Sequence, residues 1–330
     1  MGLPPLTNRV HGIQYGVGAD CVFTMVCNNK YFEVSLSADS KAGTLERGYL
    51  DRIEANLDEA SELDVIFEEL GDIIAIKCQP WCRKFAGDLN APKVLSDIVR
   101  PPVAFLRLAT VDGELQVVQD DSSKRCTNRA FHGLSVDDFS DIPIYKLSEI
   151  SLLEVLKTDA VFKVDVRRTT MCAKVAMRQS LCPPIRREIN TLRRIQERRV
   201  QENTPADHHR IPSLIGLIVS ENGVLGFLME YIETVPPVSS LAWCKRESVT
   251  MRERKKWYCQ VRDTLNWIHS MSLVWGDIKA ENVLIDEEGN AWIIDFGGSY
   301  TDGWVDQHLV EKEEGDLQGL ERLMKFLELQ

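Results

Sequence analysis

Apolar and polar positions alternate in different ways along the chain, and the changes of rhythm predict its elements. "CVFTMVCNNKYFEVSLS", residues 21–37, holds two runs rich in strand formers around Asn28-Asn29 and predicts a hairpin. Residues 45–76, "LERGYLDRIEANLDEASELDVIFEELGDIIAI", place apolar side chains at helical spacing and read as helix, most clearly at their start. "PPVAFLRLATVDGELQVVQDD" returns to a hairpin pattern that turns at Asp112-Gly113. Residues 120–143, "DDSSKRCTNRAFHGLSVDDFSDIP", are polar and rich in turn formers and read as a link. A domain boundary is therefore expected near residue 145, with an α+β N-terminal region over 1–145.

From residue 146 the order of elements changes. "VFKVDVRRTTMCAKVAM" reads as two strands broken by a turn around Arg168 to Thr170, and "PPIRREINTLRRIQERR" as a helix opened by Pro183 and Pro184. Ile185, Ile189 and Leu192 mark one face of that helix. "SLIGLIVS" and "LGFLMEYI" form a second strand pair through Glu221-Asn222-Gly223. Thr250 and Glu253 have the spacing of a capping box, ahead of a helix with Trp257, Val261, Leu265 and Ile268 on one side. A short hairpin follows, Val283–Ile285 and Ala291–Ile294 around the turn Asp286–Asn290. Near the end, Leu317, Leu320, Leu323, Met324 and Leu327 make a helical stripe.

Composition narrows the function classes. The chain has 330 residues, 44% hydrophobic and 27% charged, as in a water-soluble globular protein of two domains. No apolar run approaches the roughly 20 residues that span a bilayer, and "MGLPPLTNRV" has no basic segment followed by an apolar one, so no secretory signal is read. Gly2 is not read as a myristoylation site, because Leu6 stands where Ser or Thr is required. The expected compartment is the cytoplasm, with the nucleus as the alternative. A net charge of −11 argues against a nucleic-acid partner held through its phosphates. The acidic stretch 51–72 and the arginine-rich 186–199 are read as solvated faces. Nine cysteines in such a chain are expected to be reduced. Cys21, Cys27, Cys78 and Cys82 lack the Cys-x-x-Cys spacing of a zinc site and are read as small buried hydrophobes. The lone Gly-x-Gly at 16–18 carries no helix pattern after it and is not read as a phosphate loop.

The candidate chemistry lies around the short hairpin. Asn282 precedes one strand and Asp295 ends the other, so an amide oxygen and a carboxylate face each other at the open end. Such a pair of hard oxygens suits Mg2+. Asp277 and Lys279 sit just upstream, a proton acceptor and a phosphate partner beside the metal position. This arrangement suits in-line phosphoryl transfer, which depends on positioning and charge neutralisation.

"GDIKAEN" followed by "DFG" resembles the Asp-x-Lys-x-x-Asn and Asp-Phe-Gly pair of the protein kinase superfamily, at the family's common spacing. By that resemblance Asp277 is the catalytic base, Lys279 steadies the γ-phosphate, and Asn282 and Asp295 hold Mg2+. The resemblance also asks for a lysine on the third strand paired with a glutamate on the next helix. Lys174 in "MCAKVA" and Glu188 in "RREINTL" meet it, and Glu188 shares the inward phase of Ile185 and Leu192. "FLMEYI" is similar to the hinge strand, with Met229 as gatekeeper and the backbones of Glu230 and Ile232 at the adenine edge. Asp316 resembles the buried aspartate that braces the catalytic loop. The implied fold is α+β: a bilobal protein-kinase-like domain over 146–330, with an N-lobe at about 146–233 and a truncated C-lobe at about 234–330. The resemblance is nearest to fungal small protein-kinase-like proteins with a shortened C-terminal lobe.

Four positions depart from the family pattern. The Gly-rich loop is missing from "LLEVLKTDAVFKV", so a weaker or differently shaped nucleotide clamp is expected. Gly276 replaces the arginine that receives an activation-loop phosphate, which implies that this switch is not used. Trp275 replaces the usual His, with apolar packing expected in place of a hydrogen bond. About 18 residues lie between Gly297 and Asp316, without Ala-Pro-Glu. The resemblance implies an ATP- and Mg2+-dependent phosphotransferase acting on a protein Ser or Thr. A small-molecule kinase of the same fold and a catalytically silent scaffold remain the alternatives, and the oligomeric state is open.

Overall fold

The computed structural model describes residues 8–27, 30–85, 93–99, 103–120, 132–157, 160–205, 208–234, 236, 238–244 and 249–329. The chain divides into two compact units, 1–129 and 130–330. No helix among the described residues is long and apolar enough to cross a membrane.

In the first unit, strands β1 (Asn8–Gln14), β2 (Cys21–Cys27) and β3 (Lys30–Leu36) form an antiparallel meander. The β2–β3 pair closes at Cys27 opposite Lys30; its expected turn at Asn28-Asn29 lies outside the described residues. Helices α1 (Leu45–Ala55), α2 (Ala60–Lys77), α3 (Gln79–Phe85) and α4 (Ser96–Val99) precede β4 (Val103–Val111), which runs parallel to β3. A parallel neighbour needs such a long crossover. Strand β5 (Glu114–Gln119) returns antiparallel through Asp112 and Gly113, both at positive φ, as the sequence predicts. Cys21, Phe23, Met25 and Cys27 alternate onto the core face and meet Leu63, Ile66, Leu70 and Ile74 of α2. Cys78 and Cys82 are buried in the same core. Burial pushes the thiols of Cys21 and Cys78 up to about 12, so both stay protonated at neutral pH.

The second unit is bilobal. Its first lobe is a six-stranded sheet in the order β6-β10-β11-β9-β8-β7, built from β6 (Ile144–Lys146), β7 (Ser151–Lys157), β8 (Val161–Val166), β9 (Thr169–Val175), β10 (Leu214–Ser220) and β11 (Gly223–Glu230). Helix α5 (Cys182–Glu202) lies between β9 and β10 in the chain and starts with proline in its first turn. The β8–β9 turn falls one residue earlier than expected, with Arg167 and Arg168 both at positive φ and Val166 opposite Thr169. The second lobe has α6 (Met251–Ser270), the hairpin β12 (Val283–Ile285) and β13 (Ala291–Ile293), and α7 (Glu313–Phe326). Thr250 and Glu253 form the capping box of α6.

The residues read as a link are part of this unit from Leu134 onward. Leu134, Phe139 and Ile142 are buried in its core, and β6 adds itself parallel to β10. The unit therefore begins at 130 rather than near 145, because single apolar side chains in irregular backbone tie it in without any period to betray them. On α7 the buried face is Asp316, Gly319, Leu320 and Leu323, while Leu317 is exposed, so the expected stripe is rotated toward Asp316.

Candidate active site

Strand β9 is central in its sheet, and its apolar side chains Met171, Ala173 and Val175 are buried. Lys174 points the other way, into a cleft between the lobes of about 640 Å³. An isolated ammonium there would be costly, and two carboxylates meet it. Nζ stands 2.6 Å from Glu188 Oε2 and 2.6 Å from Asp295 Oδ1. Glu188 arrives from the inward face of α5 and is 1% exposed. Burial alone would lower the Lys174 ammonium, but the two carboxylates outweigh it and hold it above its ordinary value. Burial would likewise raise Asp295, yet the charge and hydrogen bond of Lys174 and the charge of Lys157 hold it below the usual carboxylate range. Asp295 sits at φ 65°, an uncommon conformation that aspartate tolerates better than most residues.

The second group hangs on the short hairpin. Val283 pairs with Ile293, and the Ile294 N–H donates to Asn282 O at 3.0 Å, so Asn282 and Asp295 emerge at the same open end. Asn282 Nδ2 donates to the Asp277 carbonyl at 2.9 Å and to Asp277 Oδ2 at 2.8 Å. Lys279 Nζ donates to Asp277 Oδ2 at 2.7 Å and to Thr301 Oγ1 at 3.1 Å, while Thr301 Oγ1 donates to Asp277 Oδ1 at 3.2 Å. Asp277 is 4% exposed, and its side-chain oxygens accept hydrogen bonds from Asn282, Lys279 and Thr301.

Asp316 supports this loop from below. It is 1% exposed and accepts the backbone N–H groups of Trp275 at 2.7 Å and Gly276 at 2.8 Å, and His269 Nε2 at 3.0 Å. Trp275 is fully buried, but the expected loss of a hydrogen bond at this position does not occur. Its indole Nε1 donates to Ile294 O at 2.9 Å and ties the loop to the strand leading into Asp295.

The structure thus brings Lys174, Glu188 and Asp295 together, and Asp277, Lys279 and Asn282 together, around one cleft. Met229, Glu230 and Ile232 line its far wall. The donor set fits Mg2+. With Nδ2 turned to Asp277, Asn282 presents its amide oxygen, and Asp295 keeps a carboxylate oxygen beyond the one that meets Lys174. Two hard oxygens and an open cleft suit an ion that keeps waters and substrate phosphates as its other ligands.

Four contributors carry no sequence signal. Thr301 lies in a segment without period. His269 faces Asp316 across 47 residues. Cys172 and Lys157 line the cleft, and Lys157 is the charged side chain near the place where a Gly-rich loop is missing. The arginine-rich helix face is largely at the surface, as expected, with Arg199 as the buried exception. Arg186 pairs with Asp138 at 2.5 Å, Arg193 with Asp141 at 3.0 Å, and Arg199 is buried against the carbonyls of His209 and Ile211.

Comparison with known proteins agrees with this geometry. The family model of the protein kinase domain matches residues 161–302. Serine/threonine-protein kinase PKH3 of Eremothecium gossypii is 48% identical over 52 residues, 16% of this chain and 7% of that protein. Human RAC-beta serine/threonine-protein kinase is 32% identical over 104 residues, 31% of this chain and 20% of that protein. Serine/threonine-protein kinase OXI1 of Arabidopsis thaliana is 31% identical over 91 residues, 27% of this chain and 21% of that protein. The chain thus spans about a fifth or less of the length of these relatives. With the paired strands, the inward helix and the hairpin in place around one cleft, the region that matches the family model, residues 161–302, has the fold of a protein kinase domain.

Proposed function

We propose that the second unit transfers the γ-phosphoryl group of ATP, with Mg2+, to a serine or threonine hydroxyl of a protein. The observation that carries this reading is the convergence of two charged groups on one cleft: Lys174 with Glu188 and Asp295, and Asp277 with Lys279 and Asn282. The names of the relatives, serine/threonine-protein kinases, supply the acceptor class.

The residues divide the work. Lys174, oriented by Glu188, meets the α- and β-phosphates. The backbones of Glu230 and Ile232 meet the adenine edge beside Met229. Asn282 and Asp295 hold Mg2+, which when bound neutralises charge on the phosphates. Asp277 accepts the acceptor's hydroxyl proton as its oxygen bonds to the γ-phosphorus and the bridging oxygen leaves with ADP. Thr301 Oγ1, 3.2 Å from Asp277 Oδ1, marks the distance at which an acceptor hydroxyl would stand. Lys279 balances charge on the moving phosphoryl group, and Asp316 keeps the loop in position.

The test is turnover of labelled ATP on a panel of peptides and small-molecule acceptors, with Asp277→Asn as control. Mg-ATP should raise the melting temperature of both proteins, and only the wild type should label a Ser- or Thr-containing peptide. Labelling of small molecules alone would move the acceptor class. Identical behaviour of wild type and variant would leave a nucleotide-binding scaffold.

A further inference from the structure

Gly276 stands where the family pattern carries a phosphate-receiving arginine, yet a guanidinium still occupies this place. It comes from Arg187 on α5, the residue next to Glu188. Arg187 Nη1 donates to Glu311 Oε1 at 3.1 Å and Nη2 to the Val274 carbonyl at 3.4 Å. The group lies in a slot walled by two glycines. A Cβ on Gly276 would stand 2.5 Å from Nη2, and one on Gly298 would collide with both Nη1 and Glu311 Oε1. Both glycines have positive φ, 80° and 73°, a conformation that side chains other than glycine rarely adopt. The Ser299 N–H donates to the Gly276 carbonyl at 3.4 Å and closes the slot from the far side.

We infer that Arg187 is a positioning residue that holds α5, the loop before Asp277 and the segment after Asp295 in register, with the carboxylate of Glu311 filling the role of a phosphate. Three pieces of chain meet at one guanidinium. Arg187 is joined to Glu311 across 124 residues and to Val274 across 87. A planar fork with five donors suits such a junction, where a lysine would reach one partner at a time. Because Glu188 is the next residue, seating Arg187 also fixes the rotation of α5 that turns Glu188 toward Lys174. The negative charge is written into the sequence, so the assembled site needs no added phosphate. This inference rests on the phosphotransferase reading for its effect on turnover, but not for its effect on structure.

The experiment uses the full chain, produced in bacteria and shown by intact mass to carry no phosphate, as wild type, Arg187→Ala, Glu311→Ala and the double variant. Hydrogen exchange reads the amides of 274–277 and 298–311. Each single variant should speed exchange in both segments about tenfold, and the double variant should be no faster than Arg187→Ala, because the two side chains act as one unit. The phosphate-free wild type should turn over, and both single variants should lower kcat. Unchanged exchange in the single variants, or additive effects in the double, would overturn the inference. A wild type that Mg-ATP fails to stabilise would instead sink the phosphotransferase reading and leave the exchange result readable. Glu311 is more than half exposed, so its replacement keeps the fold intact and the comparison valid.

Discussion

Lys174 and Asp295 lie 121 residues apart in the chain and 2.6 Å apart in the fold. Their ion pair is shared with Glu188, which is buried at 1% exposure. Removing the ammonium leaves a buried carboxylate with no countercharge, which typically costs about 3–5 kcal/mol. Lys174→Met should lower the unfolding free energy measured by urea titration by an amount in that range. Adding Glu188→Leu should recover a large part of the loss, because the unpaired charge goes with it. If the double variant is no more stable than Lys174→Met, the cost lies elsewhere in the cleft.

Thr301 bridges Asp277 and Lys279 through one hydroxyl. Thr301→Val keeps the shape and removes both hydrogen bonds. The orientation of Asp277 then rests on Asn282 and Lys279 alone. A loss of about tenfold in kcat is expected, equivalent to about 1.4 kcal/mol, with the KM for ATP little changed because Thr301 is not among the residues lining the nucleotide cleft. Steady-state kinetics at saturating acceptor decide it. A rise in the KM for ATP with kcat intact would place Thr301 on the nucleotide side.

Much of this site was legible in the sequence because its parts sit on periodic elements. The hairpin pattern put Asn282 and Asp295 at the same open end, one residue off direct opposition because Asn282 faces Ile294, and the helical phase of Ile185 and Leu192 turned Glu188 inward. The capping box at Thr250 marked the start of α6 correctly. Local pattern does not report a contact made across long sequence separations by a side chain on an irregular segment. Thr301, His269 and the Arg187–Glu311 pair are of that kind. Trp275 shows a related limit. Its size announced burial, while the partner of its indole N–H, the Ile294 carbonyl, depended on the tertiary arrangement.

His209 supplies a pH-dependent term outside the cleft. Its ring stacks on Trp267 with centroids 4.1 Å apart. Burial, the neighbouring His208 and the Arg199 guanidinium push it down from 6.5 to about 4. The folded protein therefore keeps this ring neutral through a range in which the unfolded chain binds a proton. Stability from this source is complete above pH 6.5 and is lost as pH falls toward 4. His209→Gln should flatten the decline of the urea midpoint between pH 6.5 and 4.5 relative to wild type. Parallel profiles for the two proteins would remove His209 from the account.

The start of the second unit can be tested by length. A chain that begins at residue 146 loses Leu134, Phe139 and Ile142 from the core, together with most of strand β6 along β10. It also loses the acidic partners of two arginines on α5, Asp138 for Arg186 and Asp141 for Arg193. Phe139 is 1% exposed, and truncating a buried aromatic ring to alanine costs about 3–5 kcal/mol. Residues 130–330 should therefore unfold cooperatively in urea, Phe139→Ala within them should unfold at a clearly lower midpoint, and residues 146–330 should be less stable still. The loss should also reach the cleft, because the face of α5 that carries Arg186 and Arg193 is the outer face of the helix that delivers Glu188 to Lys174. Equal midpoints for the chains starting at 130 and at 146 would return residues 130–145 to the role of a link.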